Sequence, residues 1–265
     1  MNENQTQQIQ LFKSAFRGKE DVFAVRWENG KKCGYMPSYS YDPYLYRAHK
    51  MRGGTFQNYQ DKTYLPLSDK EIEKHLRGEQ LVGIYPLLPD NTSWLIAADF
   101  DDDNWLEECK TFLRICYENK IPAYLERSRS GQGGHIWIFF EQPYPAIRSR
   151  KIILSLLEKS GVFSIFDKSS SFDRLFPNQD FLSGKGLGNL IALPLYKKTV
   201  EQGNSCFLDI DTFQPVPDQF EFLKNIKRIT ITKLDELYQS ISNSTNFDSN
   251  NQITTNRTPP ATVCN

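Results

Sequence analysis

The chain has 265 residues and carries 32 Lys+Arg against 32 Asp+Glu, so its formal charge is zero and binding through a uniformly basic surface is excluded. Five scattered cysteines (Cys33, Cys109, Cys116, Cys206, Cys264), odd in number and without CxxC spacing, exclude a disulfide framework and fit a reducing compartment. The length allows one large domain or two small ones, and no apolar run approaches the ~20 residues of a membrane span, so a soluble cytoplasmic protein with no membrane partner is expected.

Residues 1–10 are polar and read as frayed, after which Leu11, Phe12, Ala15 and Phe16 have helical spacing. Val22, Ala24 and Arg26-Trp27 alternate as in a strand. Tyr35, Tyr39, Tyr41, Tyr44 and Tyr46 precede the basic residues Arg47, His49, Lys50 and Arg52. Such a mixture can stack and neutralise a single nucleic-acid strand, or the rings can simply pack a small irregular subdomain. Ser68-Asp69-Lys70-Glu71 has the form of a capping box, which predicts a helix carrying Ile72, His75 and Leu76, with His75 in the last turn interacting with the helix dipole. Val82 to Tyr85 reads as a strand, and Pro86, Pro89, Asp90 and Asn91 as a turn.

The run Trp94 to Asp101 then reads as a buried strand ending in two acids. Asp99 and Asp101, at i and i+2, share a face with Cα atoms about 6.6 Å apart. Two carboxylates so placed repel each other, which a divalent cation would relieve; the alternative is a solvated acidic loop, since Asp102 and Asp103 follow. Leu106 to Tyr117 predicts a helix with Cys109 and Cys116 on its apolar face. Ala123–Glu126 and His135–Phe140 predict strands joined by the turn 130–134, and Ala146 to Lys159 a second helix. Residues 164–185 have no periodicity and read as a long connection. Strands are expected at 187–195 and 206–211, the second again with acids at i and i+2 (Asp209, Asp211), then a short helix near 212–223 and another over 229–241. After Ser242 the Asn/Ser/Thr-rich composition predicts a disordered tail or linker. The expected organisation is an N-terminal subdomain (1–85), a core (86–240) and a tail (241–265).

Arg127-Ser128-Arg129-Ser130-Gly131-Gln132-Gly133-Gly134-His135 combines cations, hydroxyls and exposed amides, as a triphosphate requires where no helix N-terminus serves; a flexible hairpin with surface arginines is the plain alternative. At this point the sequence resembles the archaeo-eukaryotic primase superfamily, and within it the primase-polymerase domain of TOTE conflict systems. The resemblance covers roughly residues 11–225 and rests on "FRGKEDVFAVRWENG", "HLRGEQLVGIYPLLPDNTSWLIAADFD", "IPAYLERSRSGQGGHIWIFF", "FDRLFPNQDFLSGKGLGNLIALPL" and "GNSCFLDIDTFQPVPDQFEFL", in that order.

The resemblance implies an α+β fold, an RRM-like mixed sheet with packed helices as the archaeo-eukaryotic primase catalytic core. It implies a template-dependent nucleotidyltransferase using two Mg2+ or Mn2+ ions about 3.5–4 Å apart. Asp99, Asp101 and Asp209 are then the expected metal ligands, with Asp211 in reserve. Ser130 and His135, assisted by Arg127, are expected at the incoming triphosphate, and Lys185 and Asn189 at nucleotide or template. The expected partners are a single-stranded or primed DNA template and nucleoside triphosphates, with a helicase or nuclease encoded separately or downstream. Relatives tend to carry a cysteine cluster between the Trp27 region and Leu65-Pro66-Leu67; only Cys33 stands here, so no structural zinc is expected. No GxxxxGK[ST] loop is present. The alternatives are a metal-dependent nuclease, which needs no triphosphate turn, and an inactive nucleic-acid-binding module. A rolling-circle nickase is disfavoured because His135 is followed by Ile136-Trp137 rather than a second histidine.

Overall fold

The computed structural model of the chain describes residues 3–30, 32–163, 170–184 and 186–251. The first part contains α1 (Glu3–Ala15), β1 (Ala24–Asn29), β2 (Lys32–Pro37), β3 (Tyr39–Tyr41), α2 (Pro43–Met51), β4 (Lys62–Tyr64), α3 (Asp69–Leu76) and β5 (Val82–Ile84). There follow β6 (Thr92–Asp101), α4 (Trp105–Glu118), β7 (Tyr124–Arg127), β8 (Gly133–Pro145), α5 (Ala146–Lys159) and β9 (Phe172–Phe176). The last elements are β10 (Ile191–Ala192), α6 (Lys197–Val200), β11 (Cys206–Phe207), α7 (Gln219–Lys224) and α8 (Ile231–Asn251).

The central sheet has the order β11-β7-β8-β6-β9. Since β8 pairs antiparallel with both β6 and β7, those two run parallel with β8 between them, joined by α4. Together with α5 and β9 this makes a β-α-β-β-α-β unit, a split βαβ, to which β11 adds an edge. The fold is thus the mixed α/β arrangement of sheet and packed helices expected of the core. The helices pack on the face presented by Phe100 and Gly134: Phe100 lies 6.3 Å from Phe112 of α4, and a Cβ on Gly134 would come within 2.6 Å of the Trp105 ring. The opposite face carries Asp99, His135 and Trp137.

A second sheet, β10-β5-β1-β2, takes its edge strand from residues 191–192, so the N-terminal sheet is completed by the later part of the chain. Among the described residues the main buried core runs from Ile9 to Ile241, and Val22, Ala24 and Tyr85 form a smaller second cluster. Phe16, following α1, packs edge-on against Trp137 at 5.1 Å, tying the N-terminal region to the central sheet.

Several local expectations are corrected. Residues 3–10 are helical rather than frayed, because Ile9, Phe12 and Ala15 bury one face of α1 while Gln10 and Lys13 bond Asp69 at 2.9 and 2.6 Å. The connection 164–185, partly outside the described residues, contains β9. The strands at 187–195 and 206–211 shrink to two residues each, and α8 continues to Asn251 where composition suggested a tail. Residues 252–265, with Cys264, lie outside the described residues. Among the described residues no helix is long and apolar enough to cross a membrane.

Tyr39, Tyr41 and Tyr46 form one aromatic cluster, whereas Tyr44 is exposed and Tyr35 packs elsewhere. Phe56 meets Tyr39, Tyr41 and Tyr46 edge-on at 5.2–5.3 Å, and Lys62 Nζ donates to the carbonyls of Phe56, Gln57 and Tyr59. That ammonium, bridging three carbonyl oxygens, organises the loop between α2 and β4.

Ser68 precedes α3 as the capping box predicts, but its side chain makes no capping bond, and Glu71 pairs with Lys74 instead. His75 departs further. It is fully buried, its Nδ1 accepts from Val82 N–H at 3.1 Å, and Nε2–H therefore donates to Pro194 O at 2.7 Å. The neutral ring stitches α3 to β5 and to the segment after β10, where a dipole contact at the helix end was expected. Burial lowers its pKa from 6.5 to about 4, outweighing the bond to Pro194 that raises it. An unfolded chain takes up this proton first as pH falls, so the contribution to stability is complete above about pH 6.5 and is lost on descending toward pH 4. The shift amounts to about 3 kcal/mol. Urea unfolding of the parent is expected to show a fall in midpoint from pH 7 to pH 5, reduced in His75→Gln. Equal falls in both proteins would refute the assignment.

Candidate metal and nucleotide site

Register places four charged groups in one row across the sheet. Glu126 on β7 lies opposite His135 on β8, His135 opposite Asp99 on β6, and Asp99 opposite Arg174 on β9. Directly paired residues share a face, so the row alternates acid, imidazole, acid, guanidinium. His135 Nδ1 is 2.8 Å from Glu126 Oε2 and Nε2 is 3.2 Å from Asp99 Oδ1. Both neighbours are acceptors, and only the imidazolium donates from both nitrogens. Burial would depress its pKa, but Glu126 and then Asp99 outweigh that and hold it well above 6.5. The buried Glu126 also accepts from Trp137 Nε1 at 2.8 Å. It was not anticipated as part of the site, although an acid in the apolar alternation of Tyr124-Leu125-Glu126 was a visible signal.

Asp99 and Asp101 do share a face, as predicted, and Asp173 of β9 joins them. Ligand oxygens of the three carboxylates lie within 4.8 Å of one another. The pairing shifts from Asp99↔Arg174 to Phe100↔Phe172, leaving Asp173 as the extra residue of a β-bulge. Bulges re-aim a side chain in this way, and here the result turns both Asp173 and Arg174 toward the acids. Arg174 Nε bonds Asp173 Oδ2 at 2.5 Å. Desolvation, then the Asp99 charge, raises the Asp101 pKa, with Asp173 and Asp102 adding to it against His135. Three crowded oxygen donors with one carboxyl resisting ionisation fit a hard divalent cation, which would relieve the repulsion.

The predicted third acid is corrected: Asp209 does not join this group. The strand ends at Phe207, and Asp209 Oδ1 accepts from Thr212 N and Oγ1 at 2.9 and 2.8 Å and from Asp211 N at 3.2 Å. These bonds, those from Thr212 foremost, lower its pKa, and the carboxylate serves to close its own turn. Asp211, in the same turn, is exposed and is likewise outside the group.

The glycine turn joins β7 to β8 beside the acids. Gly133 lies opposite Asp101, and a Cβ there would sit 2.5 Å from Phe100 O and 2.6 Å from Asp101 Oδ1, so only glycine lets the two strands close at this point. Ser130 Oγ lies 3.1 Å from Ser128 Oγ and accepts from Gln132 N at 3.2 Å. Between this turn and the end of β6 is a cavity of about 520 Å³ lined by Asp101, Asp102, Asp103, Trp105 and residues 130–132. Arg127 points elsewhere: its guanidinium donates to Gly203 O at 3.1 Å and Phe213 O at 3.3 Å, bracing two loops. Asn189 also braces, accepting from Asn178 N at 2.9 Å and donating to Leu175 O at 3.5 Å, next to β9. Lys185 lies outside the described residues.

Comparison with known proteins gives a family model described as the TOTE conflict system Archaeo-Eukaryotic Primase domain, which matches residues 7–237. No curated protein matches. Among solved structures, the polymerase domain of ligase D from Mycobacterium tuberculosis in complex with DNA is similar at 12% identity with a TM-score of 0.43, over 90% of this chain and 85% of that one.

Proposed function

Since the chain belongs to the archaeo-eukaryotic primase domain family of TOTE conflict systems, we propose that it joins nucleoside triphosphates into a strand on a DNA template. The carboxylates of Asp99, Asp101 and Asp173, brought together from two neighbouring strands, are the observation that carries this reading. They would hold Mg2+ or Mn2+, ions that when bound supply the electrophilic charge for phosphoryl transfer. The protein's own groups prepare that site. Glu126 fixes the His135 imidazolium, whose other nitrogen orients Asp99. The cavity between Asp101 and the 130–132 turn would receive the triphosphate, with Ser130 and the turn amides as the donors lining it. Arg174, beside the acids and already paired with Asp173, balances their charge when no nucleotide is present.

The test uses primed and unprimed single-stranded DNA with dNTPs or NTPs and Mn2+ or Mg2+. Extension by the parent, lost in Asp99→Ala/Asp101→Ala, is the expected result. Extension that survives in the double variant would refute the reading. Template degradation with no extension would assign the acids to a nuclease.

A further inference from the structure

A second charged cavity lies away from the acids, and its imbalance is of opposite sign. It has a volume of about 540 Å³ and is lined by Lys13, Phe16, Arg17, Lys19, Glu20 and Arg228 among others. Lys13 is committed to Asp69 at 2.6 Å. Among the described residues, no carboxylate lies within ion-pairing distance of Arg17, Lys19 or Arg228, although Glu20 reaches the same cavity. Two of these cations are fixed in place. The Arg17 guanidinium stacks 3.4 Å from the Trp94 ring centroid, which fixes its plane. Arg228 is held by donating to Ser14 O at 2.5 Å. Burial and then the neighbouring Arg17 charge lower the Arg228 pKa, as expected for a cation held near another without an anion between them.

The backbone around them is equally constrained. Lys19 N bonds Tyr85 O at 2.9 Å, and a Cβ on Gly18 would approach that oxygen to 2.7 Å, so the 17–19 segment is drawn tightly onto the end of β5. Phe16, in the cavity wall, packs on Trp137, which follows His135 by two residues on the same face of β8. One wall of the cavity thus rests on the face of the sheet that carries the acids.

We infer that Arg17, Lys19 and Arg228 form a binding site for a backbone phosphate of the nucleic-acid strand on which the chain acts. The inference rests on the polymerase reading for its ligand. A phosphodiester supplies the missing anion, its oxygens match the two guanidinium forks, and a polymer can occupy this cavity and the acidic site at once.

Fluorescence anisotropy with a labelled single-stranded oligonucleotide, titrated at several salt concentrations, tests it on the whole chain. Arg17→Gln and Arg228→Gln are each expected to weaken binding, and the double variant to reduce the slope of log K against log salt by about 0.7, the share of one phosphate. Arg17→Lys should retain the slope. Because Arg228 also caps α1, Lys19→Gln, which removes no ion pair among the described residues, provides an independent reading and should weaken binding and lower the slope in the same direction. An unchanged slope in the double variant and in Lys19→Gln overturns the site. Inorganic phosphate bound by the parent and not by the double variant, with an oligonucleotide slope that the substitutions leave unchanged, overturns the strand assignment in favour of free phosphate. Extension at saturating template is measured separately: a parent that binds with the expected slope but adds no nucleotide refutes the polymerase reading and leaves this site standing.

Discussion

Asp173→Asn is expected to lower nucleotide addition by about a thousandfold or more, whereas Asp209→Asn stays within about threefold of the parent. Metal ligation at the reacting phosphate contributes several kcal/mol of transition-state stabilisation, and about 4 kcal/mol corresponds to a thousandfold in rate. Asp173 shares a cluster with Asp99 and Asp101, while Asp209 spends its oxygen on Thr212 and Asp211 within one turn. Thermal unfolding gives a readout independent of turnover. Mn2+ at about one hundred times its Kd should stabilise the parent by about 2.7 kcal/mol through mass action, and Asp173→Asn should lose most of that. The substitution removes a like charge from a crowded site, so the variant should not unfold for lack of the carboxylate. Comparable loss of activity in Asp209→Asn would show that the turn acid, and not the bulge acid, completes the site.

The second large effect is expected at Glu126. Glu126→Ala leaves Trp137 Nε1–H and His135 Nδ1–H without their acceptor and leaves the imidazolium with Asp99 alone. Removing one partner from a buried charged pair costs about 3–5 kcal/mol, a large share of the stability of a domain. Glu126→Gln retains an acceptor oxygen and the volume, and should fold well enough for assay. Its activity should nonetheless fall about 10–100-fold, the usual consequence of losing a group that orients a metal ligand. Urea unfolding of both variants, with single-turnover extension by Glu126→Gln, provides the check. A Glu126→Ala protein as stable as the parent would show that the row across the sheet is not energetically coupled.

What was legible in the residues was the local periodicity and its ends. The apolar run of β6 announced a buried strand, and its alternation put Asp99 and Asp101 on one face. The bounds of α5 follow from its apolar spacing, and the glycines of 130–134 marked the turn that brings His135 opposite Asp99. Cys109 and Cys116 are buried in the helix face their spacing indicated. The Asp209 strand looked like a second copy of β6 because Cys206 to Asp211 has the same ending. The last backbone bond to β7 is from Leu208 N to Leu125 O, however, and beyond it a nearby Thr212 captures the carboxylate.

The sequence by itself therefore determined the family, the helices that flank the sheet, and the two acids that end β6. Only the tertiary structure brought Asp173 beside Asp99 and Asp101, gave His135 its partner Glu126 and buried His75. Each of these depends on which strand lies beside which. β9 is five residues long and bulged, so it has no alternation to read, and its place next to β6 is set by the closing of the sheet around a shared core. A single residue of register in that pairing turns Asp173 toward Asp99 and Asp101 or away from them, and register is a property of two segments distant in the chain.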